Sequence, residues 1–218
     1  RRTSYVIFRR CVARADYTVS GNPISIFEIY GNRVTNEADL GPHDILYQNC
    51  IAIDSNLVQT ANADCHVPWY FFNGYSGVIG IKGCITLNNK LANNMHMQVS
   101  HEDTSNTYSI ISNSVWWNNK SEADGAYYPL HFRGGGLSGD TNIVTGCTFG
   151  DQYQAFRYTE DASAVASTLT NNLFYDMSSA IISNSTPDTQ AYNSFDNPAQ
   201  ERGTNIVTYD APVYICRV

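Results

Sequence analysis

The stretch Val144-Thr145-Gly146-Cys147 is one copy of a unit that recurs along the chain: a large apolar residue, a variable residue, usually Asn or Gly, and then Cys, Ser or Asn. The other copies are Phe8-Arg9-Arg10-Cys11, Tyr47-Gln48-Asn49-Cys50, Ile81-Lys82-Gly83-Cys84, Ile111-Ser112-Asn113-Ser114 and Leu169-Thr170-Asn171-Asn172. The last positions of successive copies are 39, 34, 30, 33 and 25 residues apart, and a degenerate seventh copy ends at Asn193. Such elastic spacing predicts one structural rung used many times, with loops of different length between rungs.

The third position of the unit is Asn or Gly in five of the six copies. These residues tolerate the left-handed backbone region, so we expect a sharp bend between two short strands there. The residue after the bend should point inward, which predicts a column of small buried thiols. The column comprises Cys11, Cys50, Cys84 and Cys147. Stacked neighbours on parallel strands rarely have disulfide geometry. Cys65 and Cys216 lie outside the column and could pair with each other or with another chain.

The next inward position should lie two residues beyond the column. It is aromatic in the late copies, at Trp116, Phe149, Phe174 and Phe195, but small in the early copies, at Ala13, Ala52 and Thr86. The cross-section is therefore expected to change along the stack. The outward positions of the early copies are also apolar, at Val12, Ile51, Ile53, Ile85, Leu87 and Val115. Either the inward parity is reversed there, or that face is covered by a loop, another domain or a partner chain.

Further strand-like segments precede the rungs, for example at 24–31, 95–100 and 129–134, and no amphipathic helix of ordinary length is visible. The predicted fold is all-β, a parallel solenoid whose coils contain three short strands rising about 4.8 Å each. The units Val144-Thr145-Gly146-Cys147-Thr148-Phe149 and Leu169-Thr170-Asn171-Asn172-Leu173-Phe174 resemble the repeat of right-handed parallel β-helix proteins of the pectate-lyase-like group. The resemblance covers roughly residues 5–197 and implies a right-handed β-helix of about seven coils.

The resemblance is informative about fold and poor for function, because this fold carries lyases, glycoside hydrolases, phage tailspikes, adhesins and structural modules. The chain lacks the Asn-Thr-Asp motif of polygalacturonases and the Trp-Ile-Asp-His stretch of pectate lyases. Charged residues make up only 15% of the chain and the formal net charge is −7, so there is no basic footprint for nucleic acid. The longest uncharged apolar stretch, 67–81, is shorter than the roughly 20 residues of a membrane span.

The chain begins with Arg1-Arg2 close to a strand-like segment and stops just after another at 213–216. We interpret residues 1–218 as a single β-helix domain that is a fragment of a longer chain. The expected location is extracellular or periplasmic, with the localisation signal outside these residues.

Two outward rows emerge when the segments before each rung are aligned on their closing turns. One row comprises Glu28, Phe71, Gln98, His131 and Arg157, and the other comprises Tyr30, Asn73, Ser100, Arg133 and Thr159. Aromatic, amide and cationic side chains in a flat row suit an extended polysaccharide, because rings stack on sugar faces while amides and Arg bind hydroxyls and carboxylates. Trp117 and Tyr175, at equivalent positions of two late rungs, are further candidates for stacking on sugars or on a partner.

His131, Arg133 and Arg157 are predicted to fall on adjacent coils, which suggests lyase chemistry. Arg133 and Arg157 would neutralise a uronate carboxylate, and His131 would remove the proton from the neighbouring carbon. A glycosidase needs two carboxylates about 5 to 10 Å apart, and no clear pair is visible, so a lyase is favoured over a hydrolase. The plainer interpretation of these residues is a solvated face with scattered charges.

The sequence also contains a candidate metal site. His96, His101, Glu102 and Asp103 have ligand chemistry, so Ca²⁺ is a candidate cofactor, although a polar turn is the simpler interpretation. Our favoured hypothesis is an extracellular or periplasmic β-helix that binds or cleaves an extended polysaccharide, with β-elimination as the candidate reaction. The alternative is a non-enzymatic structural or adhesive β-helix that assembles with itself or with a partner protein, as a filament, spike or surface module.

Overall fold

The structure is a computed structural model in which the following residues are described: 4–15, 25–30, 43–57, 67–72, 76–91, 94–95, 97–100, 107–121, 127–128, 130–133, 141–152, 156–158, 166–177, 189–196 and 207–208. Their regular elements are 25 β-strands, numbered β1 to β25 in chain order, and every strand pairing among them is parallel. Within these ranges there is no helix long and apolar enough to cross a membrane.

Two large sheets meet at the predicted bend. Sheet I contains, in spatial order, β1 (Ser4–Arg9), β4 (His43–Gln48), β8 (Ser76–Lys82), β13 (Thr107–Ser112), β18 (Thr141–Thr145), β21 (Ala166–Thr170) and β23 (Thr189–Ala191). Sheet II contains β2 (Val12–Ala13), β5 (Ile51–Ile53), β9 (Ile85–Leu87), β14 (Val115–Trp117), β19 (Thr148–Gln152), β22 (Leu173–Met177), β24 (Ser194–Phe195) and β25 (Val207–Thr208). Each strand of sheet I leads directly into a strand of sheet II, and we call such a pair a rung.

Three smaller sheets complete the described part of the stack. Sheet III contains β20 (Phe156–Tyr158), β17 (Leu130–Arg133), β12 (Met97–Ser100), β7 (Val67–Phe72) and β3 (Ser25–Tyr30). A three-stranded sheet contains β15 (Lys120–Ser121), β10 (Lys90–Leu91) and β6 (Asn56–Leu57), and a two-stranded sheet contains β11 (Asn94–Met95) and β16 (Tyr127–Tyr128). Parallel strands that are distant in sequence and neighbours in space are consistent with a β-solenoid.

The predicted bend is confirmed. The residue between the two strands of each rung has a positive φ, from 50° to 65°: Arg10, Asn49, Gly83, Asn113, Gly146, Asn171 and Tyr192. At Gly146 a Cβ would also lie 2.6 Å from Oδ1 of Asn113 on the preceding rung. Asn and Gly therefore alternate along this bend for two reasons, the left-handed backbone and the room that an adjacent Asn side chain occupies.

A second left-handed bend, which was not predicted from the repeat, closes the rung on its other side. Its residues are Asp54, Asn88, Asn118, Asp151 and Asp176, with φ from 48° to 54°. Each lies five residues after the first bend, and each is Asp or Asn, the non-glycine types that tolerate this conformation best. The recurring Asp or Asn was the sequence signal that could have revealed it.

The predicted column after the first bend is buried and continuous. Cys50, Cys84 and Cys147 are 0–1% exposed, and they are free thiols like the half-buried Cys11. Successive members are joined along the stack, because the N–H of Cys50 donates to Sγ of Cys84 at 3.4 Å and the N–H of Cys84 donates to Oγ of Ser114 at 3.1 Å. The column is thus a chain of hydrogen bonds as well as of small side chains.

Asparagine continues the same column in the late rungs with stronger donors and acceptors. The N–H of Cys147 donates to Oδ1 of Asn172 at 2.9 Å, and the N–H of Asn172 donates to Oδ1 of Asn193 at 3.0 Å. The side-chain amides donate in turn to the carbonyl oxygens of Val144 and Leu169, at 3.1 and 2.9 Å. Each buried Asn therefore satisfies backbone groups that the bend removes from the sheet ladder.

A similar series of side-chain hydrogen bonds follows the second bend. The N–H groups of Ser55 and Asn89 donate to Oδ1 of Asn89 and Asn119 respectively, at 3.1 and 3.2 Å. Nδ2 of Asn89 donates to the carbonyl of Ala52 and Nδ2 of Asn119 to that of Thr86. Both corners of the rung are thus held by buried polar side chains whose bonding capacity is used.

The core changes composition along the stack, as expected. In the late rungs Trp116, Phe149, Phe174 and Phe195 stack in sequence, with ring centroids 6.4, 5.4 and 4.9 Å apart and planes within 16° of parallel. All four rings are at most 1% exposed. Burial of a Phe side chain stabilises the fold by roughly 1.5–3 kcal/mol, and each stacked pair adds roughly 0.5–1.5 kcal/mol.

In the early rungs the aromatic residues come from sheets I and III instead. Trp69 packs against Phe27 and Tyr47, with ring centroids 4.4 and 5.4 Å away, and its Nε1 donates to Oγ1 of Thr86 at 2.8 Å. Ala52 and Thr86 are fully buried, so the predicted inward parity of sheet II is correct. Small residues on sheet II leave the space that Trp69 fills.

Candidate functional site

The outer face of sheet II carries two rows of side chains in strict register. The first outer row is Val12, Ile51, Ile85, Val115, Thr148, Leu173 and Ser194. The second outer row is Ile53, Leu87, Trp117, Gly150 and Tyr175. Val12 is 67% exposed, and apart from the buried Gly150 the other members are half-buried. We call the two rows together the outer strip.

Trp117 and Tyr175 form the aromatic centre of the outer strip. They lie two rungs apart, yet their rings are stacked with centroids 5.9 Å apart and planes 16° from parallel. Gly150 lies between them in the row, and a Cβ on Gly150 would overlap the six-membered ring of Trp117. The missing side chain lets the indole lie across the intervening rung and reach Tyr175.

Polar groups line one margin of this aromatic pair, at the second bend. Asn118, Asp151 and Asp176 each come one residue after a member of the second outer row. Nδ2 of Asn118 donates to Oδ1 of Asn88 at 2.8 Å, and the N–H of Asp176 donates to Oδ2 of Asp196 at 2.6 Å. A half-exposed aromatic surface edged by amides and carboxylates is chemically suited to hydroxyl-rich ligands.

The rows predicted on sheet III are only partly reproduced. The register aligns Glu28, Tyr70, Gln98, His131 and Arg157. Phe71, expected in this row, pairs instead with Ile29 and Val99 and is 0% exposed, so its assignment as a sugar-stacking residue was wrong. Phe71 is in the core, where its ring stacks with Tyr47 at 5.8 Å. Counting from the closing turn misplaced this segment by one residue.

The other predicted residues of sheet III are placed by backbone register. Tyr30 pairs with Phe72, and Arg133 pairs with Ser100. His131 and Arg157 are direct partners on β17 and β20, and Arg133 is two residues beyond His131 on the same strand. Asn73 and Thr159 lie outside the described residues, as do Cys65, Cys216 and the candidate Ca²⁺ ligands His96, His101, Glu102 and Asp103.

A groove that the sequence did not indicate lies on the outer face of sheet I. Its volume is about 280 Å³, and its lining includes Tyr5, Ile7, Leu46 and Val78 around Gly80. Tyr5 and Ile7 are 78% and 53% exposed. A Cβ on Gly80 would come within 2.8 Å of Cδ1 of Leu46, so a glycine again makes the room on an outer face.

The buried thiols are unsuited to nucleophilic or ligand chemistry. Desolvation by burial raises the pKa of Cys84 from 9.0 to about 11 and that of Cys147 to about 12, and it also raises the pKa of Cys50. The reactive and metal-binding form is the thiolate, which is suppressed at these values. In the part of the chain that the structure describes, no three His, Cys, Asp or Glu side chains cluster as metal ligands do.

We expect the thiols of Cys84 and Cys147 to resist iodoacetamide at pH 8 in the folded protein, while the half-buried Cys11 reacts faster than either of them. Because the folded pKa values exceed 9.0, the unfolded chain loses these protons first as the pH rises. The stability that these thiols contribute is therefore complete below pH 9 and is lost as the pH approaches 11 to 12. Mass spectrometry of the peptides, after alkylation with and without urea, measures how far each thiol has reacted. Rapid modification of native Cys147 would contradict the buried column.

Comparison with protein-family models, with curated proteins and with solved structures found no match to this chain.

Proposed function

We propose that this chain is an extracellular or periplasmic β-helix whose outer surface binds an extended polysaccharide. The observation that carries the proposal is the stacked pair Trp117–Tyr175, half-buried on the outer face of a parallel sheet, where the absence of a side chain at Gly150 lets the two rings meet. Aromatic rings are large apolar surfaces with a preference for flat, offset packing, and the C–H face of a sugar ring meets that preference.

The finer form of the fold belongs to the same proposal. We infer a right-handed, pectate-lyase-like β-helix of about seven coils with three short strands each. Support comes from the seven strands of sheet I, from the strands of sheet III that recur between rungs, and from the two left-handed corners. A parallel crossover connection is right-handed in nearly all proteins, which supports the handedness.

A panel of soluble polysaccharides tests the binding function by affinity gel electrophoresis. We expect at least one glycan to retard the protein, and Trp117→Ala and Tyr175→Ala each to weaken its binding by roughly 10-fold, the equivalent of about 1.4 kcal/mol. Tyr192→Ala is the matched control, since Tyr192 is 59% exposed at the first bend and is not a member of either outer row. Unchanged migration with every glycan would refute the proposal.

Cleavage by β-elimination is the second candidate function, and the register of sheet III favours it. His131 and Arg157 are opposed on adjacent strands, roughly 4.8 Å apart along the stack, and Arg133 follows on the strand of His131. In this proposal the two arginines neutralise a uronate carboxylate and His131 accepts the proton from the acidic carbon. The electron pair forms a carbon–carbon double bond as the bond to the glycosidic oxygen on the next carbon breaks, and that oxygen leaves with a proton from solvent. New double bonds would absorb in the ultraviolet. If polyuronates give no absorbance change, or His131→Ala keeps the rate, this reaction is excluded.

A structural or adhesive role is the alternative to glycan binding, and the exposed apolar face of sheet I favours it. Tyr5, Ile7, Val78 and Tyr108 are 38–78% exposed on that sheet. Apolar surface of this kind often marks contact with another chain. Analytical ultracentrifugation over a range of concentrations separates a monomer from an assembling protein, and Ile7→Asp should dissociate an assembly that uses this face.

A further inference from the structure

The outer strip runs along the stacking direction rather than along the strands. Its second row crosses five neighbouring strands from Ile53 to Tyr175, which at about 4.8 Å per strand is a length of roughly 19 Å. The Trp117–Tyr175 pair lies towards one end of that line, and Leu87 and Ile53 continue it on the other side. A ligand that contacts the whole row must therefore be an extended chain lying parallel to the stack.

The outer strip is uncharged. From Ile51 to Ser194 the described residues of its two rows are aliphatic, aromatic, Thr, Ser or Gly. A carboxylate laid on this surface would lose hydration with no cation in the strip to pair with it. Arg14, which follows Ala13 beyond the Ile53 end of the second row, is a cation three strands from Trp117. Two lysines follow the second bend, Lys90 on β10 and Lys120 on β15. Both belong to the three-stranded sheet and are therefore outside the outer strip.

The charged groups that border the aromatic pair within the described residues are carboxylates. Asp151 and Asp176 occupy the second bend on the rungs of Gly150 and Tyr175, and the carboxylate of Asp196 accepts the N–H of Asp176. The chain as a whole has a formal net charge of −7. Repulsion therefore opposes a polyanion at this margin, whereas sugar hydroxyls can donate to the same oxygens.

We propose that the outer strip is a binding site for an extended, uncharged polysaccharide aligned with the stack, an inference that rests on the proposed binding function. Trp117 and Tyr175 supply the stacking surface, and Gly150 positions Trp117 by leaving the space for its ring. Asn118, Asp151 and Asp176 lie at the margin where hydroxyls of the bound chain would fall.

Direct titration with matched glycans tests the charge preference. Neutral probes are soluble β-1,4-glucan, xylan and mannan oligomers of increasing length, and anionic probes are oligogalacturonates of the same lengths. The expected result is binding of a neutral series, with affinity rising with length and at least about 10-fold over the anionic series. Trp117→Ala and Gly150→Ala should each reduce it by roughly 10-fold. Tyr192→Ala should not reduce it, and circular dichroism checks that each variant is folded.

The outcomes separate this inference from the function on which it rests. Binding of oligogalacturonates in preference to every neutral series would overturn the uncharged ligand and leave polysaccharide binding standing. Neutral binding that is unaffected by Trp117→Ala and Tyr175→Ala would move the site away from the outer strip. Binding of no glycan, together with self-association that Trp117→Ala abolishes, would overturn both and make the strip a contact between copies of this chain.

Discussion

Replacing Phe149 with alanine is expected to lower the free energy of unfolding by about 3–5 kcal/mol, the range for a buried Phe→Ala change. Phe149 is fully buried and lies between Trp116 and Phe174, which stack on its two faces at 6.4 and 5.4 Å. Both neighbours are fixed by their own strands at the sheet spacing, so the rungs cannot close around the cavity. Both rings also lose a stacking partner.

Urea denaturation followed by tryptophan fluorescence measures this effect as a shift of the midpoint. Phe8→Ala is the matched control, because Phe8 is 40% exposed and stacks on Tyr47 alone among the described rings. Its loss should be clearly smaller. A Phe149→Ala protein as stable as the parent would mean that the aromatic stack is not the core of the late rungs.

Replacing Asn172 with alanine is expected to destabilise the protein by about 3 kcal/mol. The change deprives the N–H of Cys147 of its acceptor and removes the donor to the carbonyl of Val144 and to Oδ1 of Asn193. Asn172 is 2% exposed, so water cannot readily replace these bonds. Each buried group left without a partner costs roughly 1–3 kcal/mol.

The neighbouring Asn171 provides the control for this prediction. It is exposed and has a φ of 57°, a conformation that glycine adopts freely, so Asn171→Gly should change stability by no more than about 0.5 kcal/mol. Amide hydrogen exchange gives a local readout, since Asn172→Ala should accelerate exchange at Cys147 selectively. Equal losses for the two variants would contradict the ladder.

The bends and columns could be predicted because they follow from local backbone rules. A position that must adopt positive φ is restricted to a few residue types. The first corner could therefore be recognised from its recurring Asn and Gly, at Asn49, Gly83, Asn113, Gly146 and Asn171. The same rule applies to the second corner, because Asp54 and its equivalents, five residues after the first corner, are also Asp or Asn. Arg10 and Tyr192 adopt the same conformation without the expected residue type, so residue type alone does not identify every corner.

Positions that depend on packing between sheets could not be derived in this way. Around Phe71 the apolar residues do not alternate with polar ones, so the sequence does not show which side chains of this strand point inward. Its burial depends on packing between sheets, because Phe71 stacks on Tyr47 of sheet I while Trp69 on the same strand reaches Thr86 of sheet II. The groove at Gly80 depends on Leu46 leaning over the next rung, which no local pattern encodes.

The candidate site shows the same division. Trp117 and Tyr175 could be identified as equivalent positions of two rungs, since the unit fixes their distance from the bend. Their contact could not, because it crosses an intervening strand and depends on the missing side chain of Gly150. The catalytic candidates His131, Arg133 and Arg157 remain predictions, supported by register on adjacent strands.

The constant interval between the two corners has a consequence for how such a chain can diversify. The corners are five residues apart in five described rungs, at 49 and 54, 83 and 88, 113 and 118, 146 and 151, and 171 and 176. Successive copies of the unit, by contrast, are 25 to 39 residues apart. Length variation is thus confined to the connections outside the corners. Those connections are natural graft points, where new peptide segments can be displayed at a defined height while the scaffold beneath keeps its alignment.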